Sequence, residues 1–175
     1  SKNFLSQTRK KIEVTVPVEA QSGKVIISNG EEIPILVYSD IAVEVTLPKI
    51  ASVSPNPVKP GQTFVLNGTD LDLVKSVKLE GGLTVDNVSV NSEKTSLSFV
   101  VPAEAKEGKF FLVCFSGVEV ESSVKMMLVA PVITKINPNP VKNGKDLTIT
   151  GTDLDLASSV VFTTATGTKE GSITS

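Results

Sequence analysis

The chain has 175 residues, with 17 Lys and Arg against 19 Asp and Glu, no His, no Trp and one Cys. A formal net charge of −2, with cations scattered apart from the short Arg9-Lys10-Lys11 run, excludes a nucleic-acid footprint, and no run of about 18 apolar residues is present to cross a membrane as a helix. The absence of His removes the commonest general base and metal ligand, and a lone Cys114 excludes an internal disulfide.

In chain order, Ser1-Lys2-Asn3-Phe4 lacks the apolar run of a signal peptide, so a secretion signal is expected to have been removed or to lie upstream. Residues 13–28, EVTVPVEAQSGKVIIS, return at 98–113 as SFVVPAEAKEGKFFLV, 85 positions later. Residues 48–79, PKIASVSPNPVKPGQTFVLNGTDLDLVKSVKL, return at 131–162 as PVITKINPNPVKNGKDLTITGTDLDLASSVVF, 83 positions later. A period of that length implies an array of small domains rather than a solenoid of about 20–50-residue repeats. Residues 48–130 are then one complete module, residues 1–47 the C-terminal part of another, and residues 131–175 the N-terminal part of a third.

Within the complete module every element reads as a strand. Thr63-Phe64-Val65-Leu66 is a short apolar run opened by the turn signal Pro60-Gly61 and closed by Asn67-Gly68. Further strands are expected at 76–79, 83–85, 88–90, 97–101, 109–115 and 118–128, several alternating apolar and polar residues as a half-wetted sheet does. No window of about 11 residues keeps a helical period. About seven short strands in a module of this size predict an all-β, immunoglobulin-like sandwich, here without a disulfide or tryptophan. Cys114, in KFFLVCF, is expected as a small buried hydrophobe.

The Pro-rich turns SPNPVKPG and NPNPVKNG, the following GTDLDLV or GTDLDLA with its Ser-Val pair, and the stretches Val16 to Lys24 and Val101 to Lys109 resemble tandem IPT/TIG immunoglobulin-like domains. The wording is similar to the tandem units of Bacteroides-type surface glycan-binding lipoproteins of polysaccharide-utilisation systems. That resemblance implies an extracytoplasmic place at the cell surface or outer membrane. It also implies that repeats near the membrane serve as spacers, while a terminal domain grips the polysaccharide.

Residues that invite a chemical reading each have a structural one. Asp70 and Asp72, repeated as Asp153 and Asp155, lack the dense oxygen ligands of a calcium loop, and Asp after Gly-Thr at a strand end forms a turn through its own backbone bond. Leu71 and Leu73 read as apolar plugs sealing the sandwich, and Gly61, Gly68, Gly144 and Gly151 as turn residues with positive φ. Glu93, Glu104, Glu107, Glu119 and Glu121 fall in turns or alternate outward, so no glycosidase-type carboxylate pair is assigned. The seven Phe residues, including Phe64, Phe99, Phe110 and Phe111, read as core. That leaves Tyr38 as the single Tyr or Trp on which a sugar face could stack. No catalytic, cofactor-binding or metal-binding residue is therefore assigned, and the ligand-binding residues stay open.

The junctions Leu47-Pro48 and Ala130-Pro131 carry no Gly/Ser linker, and proline presets its own φ and restrains the residue before it. The expectation is a non-catalytic surface spacer or binding module, with polysaccharide reached through the parent protein. Alternatives are an adhesion or protein-interaction array recruiting a partner strand at a sheet edge, and an accessory domain of a polysaccharide-degrading enzyme. Because the two end fragments add up to one module, self-association in a swapped head-to-tail assembly is expected, unless flanking chain completes each half.

Overall fold

The computed structural model describes residues 4–173. The protein is all-β: among the described residues the helical pieces are three single 3-10 turns, Leu71–Leu73, Glu80–Gly82 and Leu154–Leu156, and no helix is long and apolar enough to cross a membrane. The chain divides into two compact units, one ending at Leu128 and the other starting at Val129.

In the first unit, residues 4–47 form two hairpins. Strand β1 (Ser6–Gln7) pairs with β2 (Ile12–Glu13), and β3 (Gly23–Ser28) with β4 (Leu36–Val43). The following strands are β5 (Lys49–Ser54), β6 (Thr63–Thr69), β7 (Val74–Lys78), β8 (Thr84–Val85), β9 (Ser89–Val90), β10 (Ser96–Val100), β11 (Phe111–Cys114) and β12 (Glu119–Glu121). They make two antiparallel four-stranded sheets, ordered β5-β6-β10-β9 and β12-β11-β7-β8. Alternation decides which side faces in: Phe64 and Leu66 on β6, Leu97 and Phe99 on β10, and Leu112 on β11 are buried. Phe64 meets Phe99 of its own sheet edge-on at 5.7 Å, and Phe110, just before β11, at 6.1 Å. The Phe64–Phe110 contact ties the two layers into one sandwich core, and both contacts have the edge-to-face geometry that favours aromatic pairs.

The expected strand at 118–128 is real only as far as Glu121. The buried Ser122 then takes the Phe110 amide onto its hydroxyl and donates to the Val124 carbonyl, which kinks the chain. Beyond it only single bridges remain, Gly108 with Met126 and, in parallel, Val58 with Leu128.

Glycine roles also need correcting. Gly61 and Gly144 have φ of +80° and +75°, as expected, but Gly68 and Gly151 lie in extended strand. A Cβ at Gly68 would stand 1.8 Å from the Lys49 carbonyl oxygen, and one at Gly151 1.9 Å from that of Val132. Both sit where the register slips in a β-bulge, between Ile50 and Ser52 and between Ile133 and Lys135, so close backbone approach demands the glycine.

The second unit holds β13 (Val132–Asn137) paired with β14 (Thr148–Thr152), and β15 (Val160–Thr164) paired with β16 (Gly167–Gly171). The β13–β14 doublet repeats the β5–β6 register residue for residue: Val132 faces Thr152 as Lys49 faces Thr69.

Candidate functional site

The GTDLDL turn was the strongest chemical candidate in the sequence. Asp70 and Asp153 both adopt a left-handed backbone, φ 56°, ahead of their 3-10 turns, and neither makes a side-chain capping bond. The turn thus rests on the tolerance of Asp for that conformation and not on the side-chain bond expected. Asp72 turns its carboxylate to Lys94, 2.8 Å away, and this hydrogen bond raises the Lys94 pKa above its ordinary value. Leu71 is fully buried. Leu73 is not a second plug: it is half-buried beside Val18, Ala20 and Leu47, because the 3-10 turn rotates the two leucines to different sides.

The glutamates do not converge. Glu119 pairs with Lys78 at 3.0 Å and Glu121 with Lys109 at 2.9 Å. Glu107 accepts the Leu128 amide at 2.8 Å, and Glu93 and Glu104 are exposed. Charge–charge pairs of this exposed kind contribute little to stability.

Aromatic placement departs from expectation. Phe64, Phe99 and Phe110 are core, while Phe111 lies half-buried under Lys78 Nζ, 5.8 Å from its centroid. Phe4, Phe115 and Phe162 are exposed. Phe115 follows the buried Phe110, Leu112 and Cys114 on the outward side of the strand alternation. Tyr38, on β4 opposite Ile26, is 54% exposed, which leaves its ring available as a single stacking surface. A surface hollow of about 470 Å³ over the β5–β6 bulge is lined by Lys49, Ile50, Ala51, Asn67, Gly68, Thr69 and Thr95, without an aromatic ring.

The best-built feature is the junction between residues 4–47 and the sandwich. Pro48 is fully buried, the Gln21 side chain donates to the Ser116 carbonyl at 2.7 Å, and Val18, Leu47, Leu73 and Cys114 surround a space too small for a ligand. Burial of Cys114 raises its thiol pKa, so the thiol stays neutral and unreactive.

Two polar devices escaped sequence reading. Ser39 repeats the Ser122 brace, accepting the Val25 amide at 3.0 Å and donating to the Ile41 carbonyl. Asn56 ties the Pro-rich turn to the 125–127 segment like a peptide group, donating to the Lys125 carbonyl at 2.9 Å and accepting the Met127 amide at 2.8 Å. Extending the repeat past residue 113 would have revealed the first, since Ser39 stands 83 positions before Ser122.

No family model matches the chain, and no curated protein matches it. Among solved structures, SGBP-B from a complex xyloglucan utilization locus in Bacteroides uniformis is 20% identical, with 66% of this chain and 35% of that one covered and a TM-score of 0.39. SGBP-B of the Bacteroides ovatus mixed-linkage glucan utilization locus, in complex with a mixed-linkage heptasaccharide, is 19% identical over 73% of this chain and 35% of that one, with a TM-score of 0.40. A structure with xylogluco-oligosaccharide is 18% identical over 86% of this chain and 44% of that one, with a TM-score of 0.42. The chain thus spans less than half the length of each of these three structures.

Proposed function

We propose that this chain is a non-catalytic, extracytoplasmic spacer of tandem IPT/TIG-type immunoglobulin-like modules. Its parent would be a bacterial cell-surface protein of the glycan-binding, outer-membrane lipoprotein kind. The supporting observation is the junction at Leu47-Pro48. Proline there is fully buried, a long-range hydrogen bond links Gln21 to Ser116, and apolar side chains from both sides line the seam. A joint with buried proline and no Gly/Ser linker has little freedom to lose, so it transmits position. Residues 1–47, 48–130 and 131–175 are the modules and part-modules in this reading.

Spin labels at Lys24 and Lys109, exposed positions one repeat apart, test it. A narrow distance distribution is expected, broadening when Gly-Gly-Ser-Gly is inserted between Leu47 and Pro48. A broad distribution in the unmodified chain would rule out a spacer role.

A further inference from the structure

Strand pairing puts one lysine at the head of a lane of neutral polar groups on the outer face of the β5-β6-β10-β9 sheet. Phe64 and Leu66 point into the core, so Val65, Asn67 and Thr69 of the same strand point outward. Residues paired directly across a sheet share a face. Lys49 therefore lies outward beside Thr69, Ser52 and Ser96 flank Asn67, and Ser54 and Ser98 flank Val65. These three rows run from a cation through threonine, asparagine and serine side chains, with no carboxylate among them.

At the cation end the lane deepens into the hollow of about 470 Å³, whose lining adds Thr95 and the apolar Ile50, Ala51 and Gly68. The bulge makes the space: Ala51 has no residue opposite it, and the glycine opposite Ile50 brings no side chain to fill it. Among the described residues, no ion pair or hydrogen bond engages the side chains of Lys49, Asn67 and Thr69. The Thr95 hydroxyl accepts from the Asn91 side-chain amide at 3.1 Å, so its own proton is left to donate.

The repeat separates what the bulge needs from what the hollow adds. The second bulge keeps Gly151 and Thr152, but Val132 stands where Lys49 does and Thr150 where Asn67 does. Neither Lys49 nor Asn67 is needed to build a bulge of this kind, and these two give the hollow its charge and its amide.

We propose that this hollow binds an acidic sugar unit of a polysaccharide, its carboxylate at Lys49 and its hydroxyls on Asn67, Thr69 and Thr95, with neighbouring units following the serine lane. An ammonium with no counter-ion selects an anion, and the neutral donors and acceptors match sugar hydroxyls. Ile50 and Ala51 offer apolar surface to the C–H face of the ring. The chain's net charge of −2 repels anions in general, so the attraction is local to Lys49. The contacts are few and open to water, which sets the affinity at about millimolar. The ring of Tyr38, on β4, is a separate surface that serves neutral glycans equally. The hollow lies wholly within residues 49–95, so it stands or falls apart from the spacer reading, which depends on the Leu47-Pro48 junction.

NMR titration of the whole chain with a β-linked glucuronate tetramer and with cellotetraose, the same backbone with and without carboxylates, provides the test. The acidic tetramer should shift the amides of Gly68, Thr69 and Thr95, and cellotetraose should leave them in place. Lys49→Gln should weaken the binding about fivefold or more, and Lys49→Arg should keep it. Lys75→Gln, which removes an exposed charge from the opposite sheet, should change nothing. Equal shifts with cellotetraose would overturn the carboxylate assignment, and equal losses in Lys49→Gln and Lys75→Gln would overturn a localised site. No shift at these amides with the acidic tetramer at about 10 mM would overturn the proposal outright.

Discussion

The Ser122 hydroxyl accepts a hydrogen bond from the Phe110 amide at 3.0 Å inside the sandwich and donates one to the Val124 carbonyl at 2.7 Å. A side chain there does the work of a ladder bond at the point where β12 ends. Ser122→Ala leaves a buried N–H and a carbonyl without partners, so it should lower stability by about 1–3 kcal/mol. Ser39→Ala, at the exposed copy of the brace, should change urea unfolding less. A larger effect at Ser39 would show that the head segment, not the sandwich, limits the melt.

The bulge glycines separate two uses of the same residue. Gly68→Ala drives a methyl group into the Lys49 carbonyl and should destabilise by about 3 kcal/mol or more, through overpacking against backbone that cannot yield. Gly61→Ala meets open space but needs φ near +80°, at about 1–2 kcal/mol. Equilibrium denaturation of the two variants should rank them in that order.

Leu71→Ala should remove about 2–4 kcal/mol by opening a cavity at a fully buried site. Asp72→Asn, which breaks a solvent-screened pair with Lys94, should move the midpoint little. Calcium should leave the wild-type melt unchanged, and a calcium-dependent rise in melting temperature would restore a metal role for Asp70 and Asp72.

Cys114 links burial to pH. Its folded pKa is raised by desolvation, so its contribution is complete below the ordinary thiol value and is lost as pH climbs through the raised folded value. The stability difference between wild type and Cys114→Ala should therefore shrink on going from neutral to alkaline solution. Alkylation of the native thiol should wait for unfolding, and rapid stoichiometric labelling at pH 7 would contradict its burial.

Tyr38 is the sole Tyr and the chain has no Trp, so isolated stacking on its exposed ring should bind soluble glycans no tighter than about millimolar. Calorimetry should show whatever heat remains vanishing in Tyr38→Ala. Micromolar affinity that survives that substitution would point to the exposed Phe115 or Phe162 instead.

The repeat was legible in the sequence because identical local demands recur. The Pro-rich turns and the alternating apolar runs are each set within a few residues, and they carried the all-β reading. The core phenylalanines Phe64, Phe99 and Phe110 followed from their place in the expected strands, but Phe111, read as core with them, is only half-buried, because strand period sends neighbouring residues to opposite faces. What depended on distant neighbours was settled only by tertiary structure. Gly68 is required by the Lys49 carbonyl across the bulge, a contact invisible to a turn rule. Ser122 stops a strand that its own neighbours would continue, and Leu73 turns to the junction although it is spelled like Leu71. Local chemistry decided which strands form, and partners far along the chain decided which of their faces are dry.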